Sequence, residues 1–90
     1  MSYELEPEAL DEFRAKVAEL PDAVRSAIED VIAELGARPW HSLPMNEANP
    51  NGQYRFVAVD VATGYGFVTF VVLEAEHRVS MVDLVWFAYD

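Results

Sequence analysis

Residues 53–87 read QYRFVAVDVATGYGFVTFVVLEAEHRVSMVDLVWF, and the fold turns on how this stretch divides. Three runs rich in Val, Phe, Tyr and Trp, residue types that suit a pleated surface, span Gln53 to Val61, Tyr65 to Leu73 and Arg78 to Phe87. Ala62-Thr63-Gly64 and Glu74-Ala75-Glu76-His77 separate them. Connections this short cannot carry a crossover, so the runs must pair as antiparallel hairpins. Both alternating faces of each run are apolar. Tyr54 and Phe56 oppose Val57, Val59 and Val61; Tyr65, Phe67 and Leu73 oppose Val68, Phe70 and Val72; Met81, Val85 and Phe87 oppose Val82, Leu84 and Trp86. A sheet built this way has two sides to cover.

Upstream, Tyr3-Glu-Leu-Glu alternates as a short strand and ends at Pro7, a residue suited to a first helical turn. Leu10, Phe13, Val17 and Leu20 recur at spacings of three and four, and Glu8, Asp11 and Glu12 suit the positive end of the helix dipole. Pro21 stops this helix and opens a second, whose apolar stripe is Val24, Ile28, Val31, Ile32 and Leu35. Gly36 falls where a left-handed cap is expected, with Pro39 just beyond. Residues 37–52 hold Pro39, Pro44, Pro50 and the Asn51-Gly52 pair, the composition of a long irregular loop. The expected fold is α+β, an N-terminal helical hairpin packed on an antiparallel β-sheet in the order β-α-α-β-β-β, with residues 1–90 forming one domain. Two helices cover one face of the sheet. The other is left as a partner surface, covered by a second copy, or hidden by strong curvature.

Composition sets the limits on function. With no cysteine there is no disulfide and no thiolate metal site, and the two histidines lack an acidic cluster at ligand spacing, so no metal and no cofactor are expected. The first twelve residues are acidic where a leader would be basic, and the longest apolar run, Gly66 to Leu73, is too short for a bilayer, which points to the cytoplasm. Sixteen acids against six bases give a net charge of −10, which argues against direct nucleic-acid binding through phosphates. Ten of the acids precede residue 36, so the negative field sits mainly on the helices.

The order of elements, together with the opening Tyr3-Glu-Leu-Glu-Pro-Glu-Ala-Leu, the Leu20-Pro-Asp-Ala-Val-Arg-Ser-Ala-Ile28 restart, the Leu35-Gly-Ala-Arg-Pro39 exit and Gln53-Tyr-Arg-Phe-Val-Ala-Val-Asp60, resembles the RelE/ParE superfamily of toxin–antitoxin toxins. The resemblance implies a toxin-like protein that binds a macromolecular target and an antitoxin. In members that cut messenger RNA on the ribosome, cations on the sheet stabilise the charged transition state and a His or Tyr moves protons. The matching stretch of the next strand, Tyr65-Gly-Phe-Val-Thr69, lacks the family's second arginine. The candidates for such chemistry are Arg55, His41, His77 and Arg78; Tyr89 lies too far along the last strand from Arg78 to share a site with it. Arg55 could instead bridge helix acids across the sheet, and Trp40 could anchor the loop. The candidate partner-binding residues are Tyr54, Phe56, Tyr65, Phe67, Trp86 and Phe87. The expected partner is an antitoxin or a second copy of the chain; an endoribonuclease and a catalytically silent interaction module are the alternatives.

Overall fold

The computed structural model describes residues 2–89 and has an α+β architecture, two helices on one side of a five-stranded sheet. In chain order the elements are β1 (Glu4–Leu5), α1 (Pro7–Val17), α2 (Asp22–Ala37), β2 (Leu43–Pro44), β3 (Tyr54–Val61), β4 (Gly64–Leu73) and β5 (Arg78–Ala88). Single 3-10 turns at Pro39–His41 and Glu74–Glu76 complete the chain trace. The strands lie in the order β1-β5-β4-β3-β2.

β3, β4 and β5 form the expected antiparallel meander, but the sheet as a whole is mixed, because β1 runs parallel to β5. A two-residue strand carries no directional signal in its sequence. β2 is equally short and pairs antiparallel with β3 inside the stretch expected to be irregular. Pro44 is tolerated there because an edge strand can spare one N–H.

Helix α1 ends at Val17, since a residue preceding proline is pushed out of the helical region and Leu20 precedes Pro21. Helix α2 starts on Pro21, whose carbonyl accepts from Val24 N and Arg25 N. It runs through Gly36 rather than being capped by it: no glycine among the described residues has a positive φ. The stop falls at Arg38 (φ −145°), which Pro39 forces towards extended geometry. The Gly36 carbonyl instead accepts from Tyr3 N at 2.6 Å and ties β1 to the helix.

A bulge changes the facing of β5. Thr69 pairs with Asp83 but Phe70 pairs with Met81, so Val82 has no partner and the alternation slips by one. Met81, Leu84 and Trp86 therefore share the helix-facing side, whereas Val85 and Phe87 face outward. The sequence alternation, which grouped Met81 with Val85 and Phe87, is corrected by this one residue.

The core lies between the helices and the inner face of the sheet. Phe13, Val17, Val24, Ile28, Ile32 and Leu35 meet Val59, Val68, Phe70, Val72, Val79 and Met81. Partly buried against this core, Trp86 lies across Gly64 and Gly66 on β4. A Cβ at Gly66 would come within 2.9 Å of its ring, and one at Gly64 within 2.5 Å. No helix among the described residues is long and apolar enough to cross a membrane.

Candidate functional site on the outer face of the sheet

Alternation along β3 and β4, and along β5 past its bulge, puts Tyr54, Phe56, Tyr65, Phe67, Val85 and Phe87 on the face away from the helices. Tyr65 is directly opposite Phe87, and Phe67 opposite Val85. The rings interlock. Tyr65 stacks on Phe87 at 5.3 Å and leans on Tyr89 at 5.8 Å, while Phe67 meets Phe56 edge-on at 5.8 Å and Tyr65 at 6.3 Å. The Tyr65, Phe87 and Tyr89 rings form a ridge. Beside it, Met45, Phe56, Phe67, Thr69 and Val85 line a groove of about 260 Å³. Strong curvature does not hide this side: Tyr54 is 62% exposed, Phe87 48% and Tyr65 40%.

Charge lies at the ends of this face and at Asp83, which pairs with Thr69 midway along β5 and is held by Lys16 at 2.7 Å. At one end the Tyr89 hydroxyl donates to Asp60 at 2.9 Å, a bond that raises the phenol's pKa. At the other, Arg78 donates to Glu6 at 2.9 Å, and that carboxylate raises the guanidinium's pKa further. Five of the six partner-binding candidates gather here. Trp86 does not, because the bulge turns it to the helix side.

The four candidates for phosphate chemistry are scattered by comparison. Arg55 shares the inner parity of Val57 and is 5% exposed. Its guanidinium bridges no helix acid. Nε donates to Ser42 Oγ at 2.9 Å, one terminal nitrogen to the Ser42 carbonyl at 2.7 Å, and the other to the Pro50 and Gly52 carbonyls at 3.0 and 3.2 Å. Trp40 lies under it, 4.9 Å from ring centroid to the guanidinium carbon. Arg55 thus fastens the 42–52 loop. His41 is exposed and borders a second cavity of about 260 Å³, floored by Val31, Leu35 and Val57. His77 occupies the left-handed region (φ 55°) at the turn into β5 and stacks on Tyr3 at 4.2 Å. Arg78 is held by Glu6.

Sequence reading missed one cluster. Glu74 Oε2 accepts from the Tyr3 hydroxyl at 2.5 Å and from Trp40 Nε1 at 3.0 Å. The Tyr3 bond, followed by the Trp40 bond, holds the Glu74 carboxyl below the usual carboxylate range, and the same Tyr3–Glu74 bond raises the phenol. A chain of contacts thus runs from Arg55 through Trp40, Glu74 and Tyr3 to His77. These residues come from four segments, Glu74 and His77 sharing the β4–β5 turn, and spacing along the chain gave no sign of the segments' meeting.

The remaining bases are also engaged: Arg14 with Glu29 at 2.9 Å, Lys16 with Asp83 at 2.7 Å, Arg38 with Glu34 at 3.7 Å, and Arg25 with Asp22. Lys16 lowers the pKa of Asp83, which also accepts from Leu84 N at 2.8 Å on the free side of β5. Arg14, Lys16, Arg55 and Arg78 therefore each have their own partners and form no shared positive cleft. No family model, curated protein or solved structure matches the chain.

Proposed function

We propose that this chain works by protein–protein contact, as a toxin-like component of a type II toxin–antitoxin pair, and that the outer face of its sheet is the surface that meets target or antitoxin. The observation that carries this reading is the bare aromatic ridge and groove, none of whose residues is charged. Patches of this kind mark interaction sites, and the Tyr- and Phe-rich composition is that of interface hot spots. The RelE/ParE likeness of the element order supplies the toxin–antitoxin context.

An endoribonuclease reading has less to stand on. Arg55 is buried and occupied, and Arg78 is paired. Gly66, where the resembling family carries its second arginine, lies beneath Trp86 with no room for a side chain. A site for a polyanion needs cations it can spare. Primer extension on translated messages should show no new cleavage ends.

Expression of the chain alone in a bacterium is the test. The wild-type chain should arrest growth, and a Tyr65→Asp/Phe87→Asp variant that keeps its circular dichroism spectrum should not. Undisturbed growth at high expression of the wild-type chain would overturn the proposal.

A further inference from the structure

We infer that the outer face also binds the outer face of a second copy, so that the free protein forms a reversible two-fold dimer which masks its own contact surface until a partner displaces it. The inference rests on the reading of this face as the contact surface and adds how it is regulated.

Three observations select a second copy. The first is where the charge lies. Residues 7–37, which form the helix layer, hold eight acids and three bases, whereas the ridge and groove residues of the outer face carry no charge and their charged neighbour Asp83 is paired with Lys16 at 2.7 Å. Sheets stacked face to face lie about 10 Å apart, and each helix layer sits about another 10 Å behind its own sheet. The two acidic layers of the dimer would therefore be separated by roughly 30 Å, about three Debye lengths at 0.1 M salt. The repulsion that a −10 chain meets in most self-contacts is screened in this one. A partner drawn in by charge alone would settle on the helix side instead.

The second observation is shape. The Tyr65–Phe87 ridge stands next to the groove of Met45, Phe56, Phe67, Thr69 and Val85. A two-fold axis passing between them lays the ridge of each copy in the groove of the other, as a self-complementary interface requires. The groove is apolar apart from Thr69, whose hydroxyl already donates to the Asp83 carbonyl at 3.2 Å, so the Tyr65 and Phe87 rings meet matching surface.

The third is size. Three strands about 4.8 Å apart and some eight residues long give a footprint of roughly 400 Å² per copy. That is about half of what each partner contributes to a standard-size interface. An interface this small falls with the weak, transient contacts, and the dimer gives way to any partner that adds contacts beyond the sheet.

Sedimentation equilibrium on the full chain, from low micromolar to near-millimolar concentration, tests this. The wild-type mass should climb from one chain towards two, and added salt should leave the association unchanged or tighten it, because the buried contact is uncharged. Phe87→Asp should weaken the association on the order of a hundredfold, by placing an unpaired charge in an apolar contact. Tyr65→Arg, which brings the opposite charge, should do the same. Association lost on adding salt, or undiminished in both variants, would place the contact elsewhere and overturn the inference. So would a wild-type chain that is monomeric at every concentration. The growth assay separates the two proposals. A monomeric chain whose growth arrest still depends on Tyr65 and Phe87 retains the function and loses the dimer. A salt-resistant dimer without growth arrest does the reverse.

Discussion

On the side of the sheet that meets the helices, Val68, Phe70, Val72 and Val79 have no exposed surface; on the opposite side Tyr54, Tyr65 and Phe87 keep 40–62% of theirs. The outer side is the more polar along β3 and β4, with Tyr54, Asp60, Tyr65 and Thr69 against Arg55 alone, but Phe56, Phe67, Val71 and Leu73 leave it too apolar for that difference to explain why it is bare. Helix area does. Two helices of 11 and 16 residues, about 16 and 24 Å long at 1.5 Å per residue, fill one face and leave nothing for the other. Trp86, packed against that core, completes the covered face by lying over two glycines. A sheet apolar on both sides with helices for one thus carries information about association as well as about folding.

The largest expected effect is the one that sets Phe70 against Phe87. Phe70→Ala empties a fully buried site and should cost about 3–5 kcal/mol, most of the stability of a domain this size. Phe87→Ala, on the bare side, should stay within roughly 1 kcal/mol. Paired urea melts at low concentration measure both. Equal losses would mean that the outer face is packed within the monomer, and the contrast between the faces would fail. Next in size is Arg55→Ala, about 2–4 kcal/mol, because the Ser42, Pro50 and Gly52 carbonyls lose their donors together. Limited proteolysis should then cut between residues 42 and 52 while the wild-type loop resists. A loop that stays resistant would show that Arg55 does not fasten it.

The split between the faces was largely legible in the sequence, because period two along 53–73 and periods of three and four along 10–35 are strong signals. It failed at Val82. In a strand where nearly every residue is apolar, one extra residue leaves the pattern looking intact while every later side chain changes face, and of the two expected partner residues Trp86 and Phe87 only Phe87 faces outward. Arg55 departs from its expected role for a different reason. Its parity with Val57, Val59 and Val61 marked it as inward, and a loop rich in proline and asparagine upstream offered the carbonyls to hold it. Its charge drew attention to acids and phosphates instead. The Tyr3–Glu74–Trp40 cluster joins positions 71 and 34 residues apart and had no local signal at all.

A third substitution examines how the covered face is finished. Gly66→Ala puts a methyl against the Val85 carbonyl and the Trp86 ring, so the indole must lift. A loss of about 1–3 kcal/mol is expected, as for other overpacked sites. Trp86 emission should shift to the red as the ring gains water. An unchanged spectrum would mean that the indole does not rest on the glycines, and the inner face would end at the helices.

The smallest effect expected is a pH dependence from Glu74, which lies on neither face but at the sheet end, where β1, the loop and the β4–β5 turn meet. Two neutral donors stabilise its ionised form, so its pKa is depressed in the folded chain. A depressed carboxylate contributes stability that is fully present above its unfolded pKa, near the ordinary 4.5, and is lost as pH falls through the folded value. Tyr3 behaves in the opposite sense. Its raised pKa contributes stability below the ordinary 10.0 that disappears as pH rises through the folded value, when the phenolate would face the carboxylate. Glu74→Gln retains an oxygen that can accept both bonds but removes the titration. The wild-type chain should therefore be slightly the more stable at about pH 7, and that margin should close towards about pH 3. Urea melts of the two proteins across this range measure the margin directly. A margin that persists at the acid end would mean that the oxygen's geometry, not its charge, holds Tyr3 and Trp40 in place. The clasp would then belong with the buried contacts of the inner face, as a fixture of packing insensitive to the solvent around it.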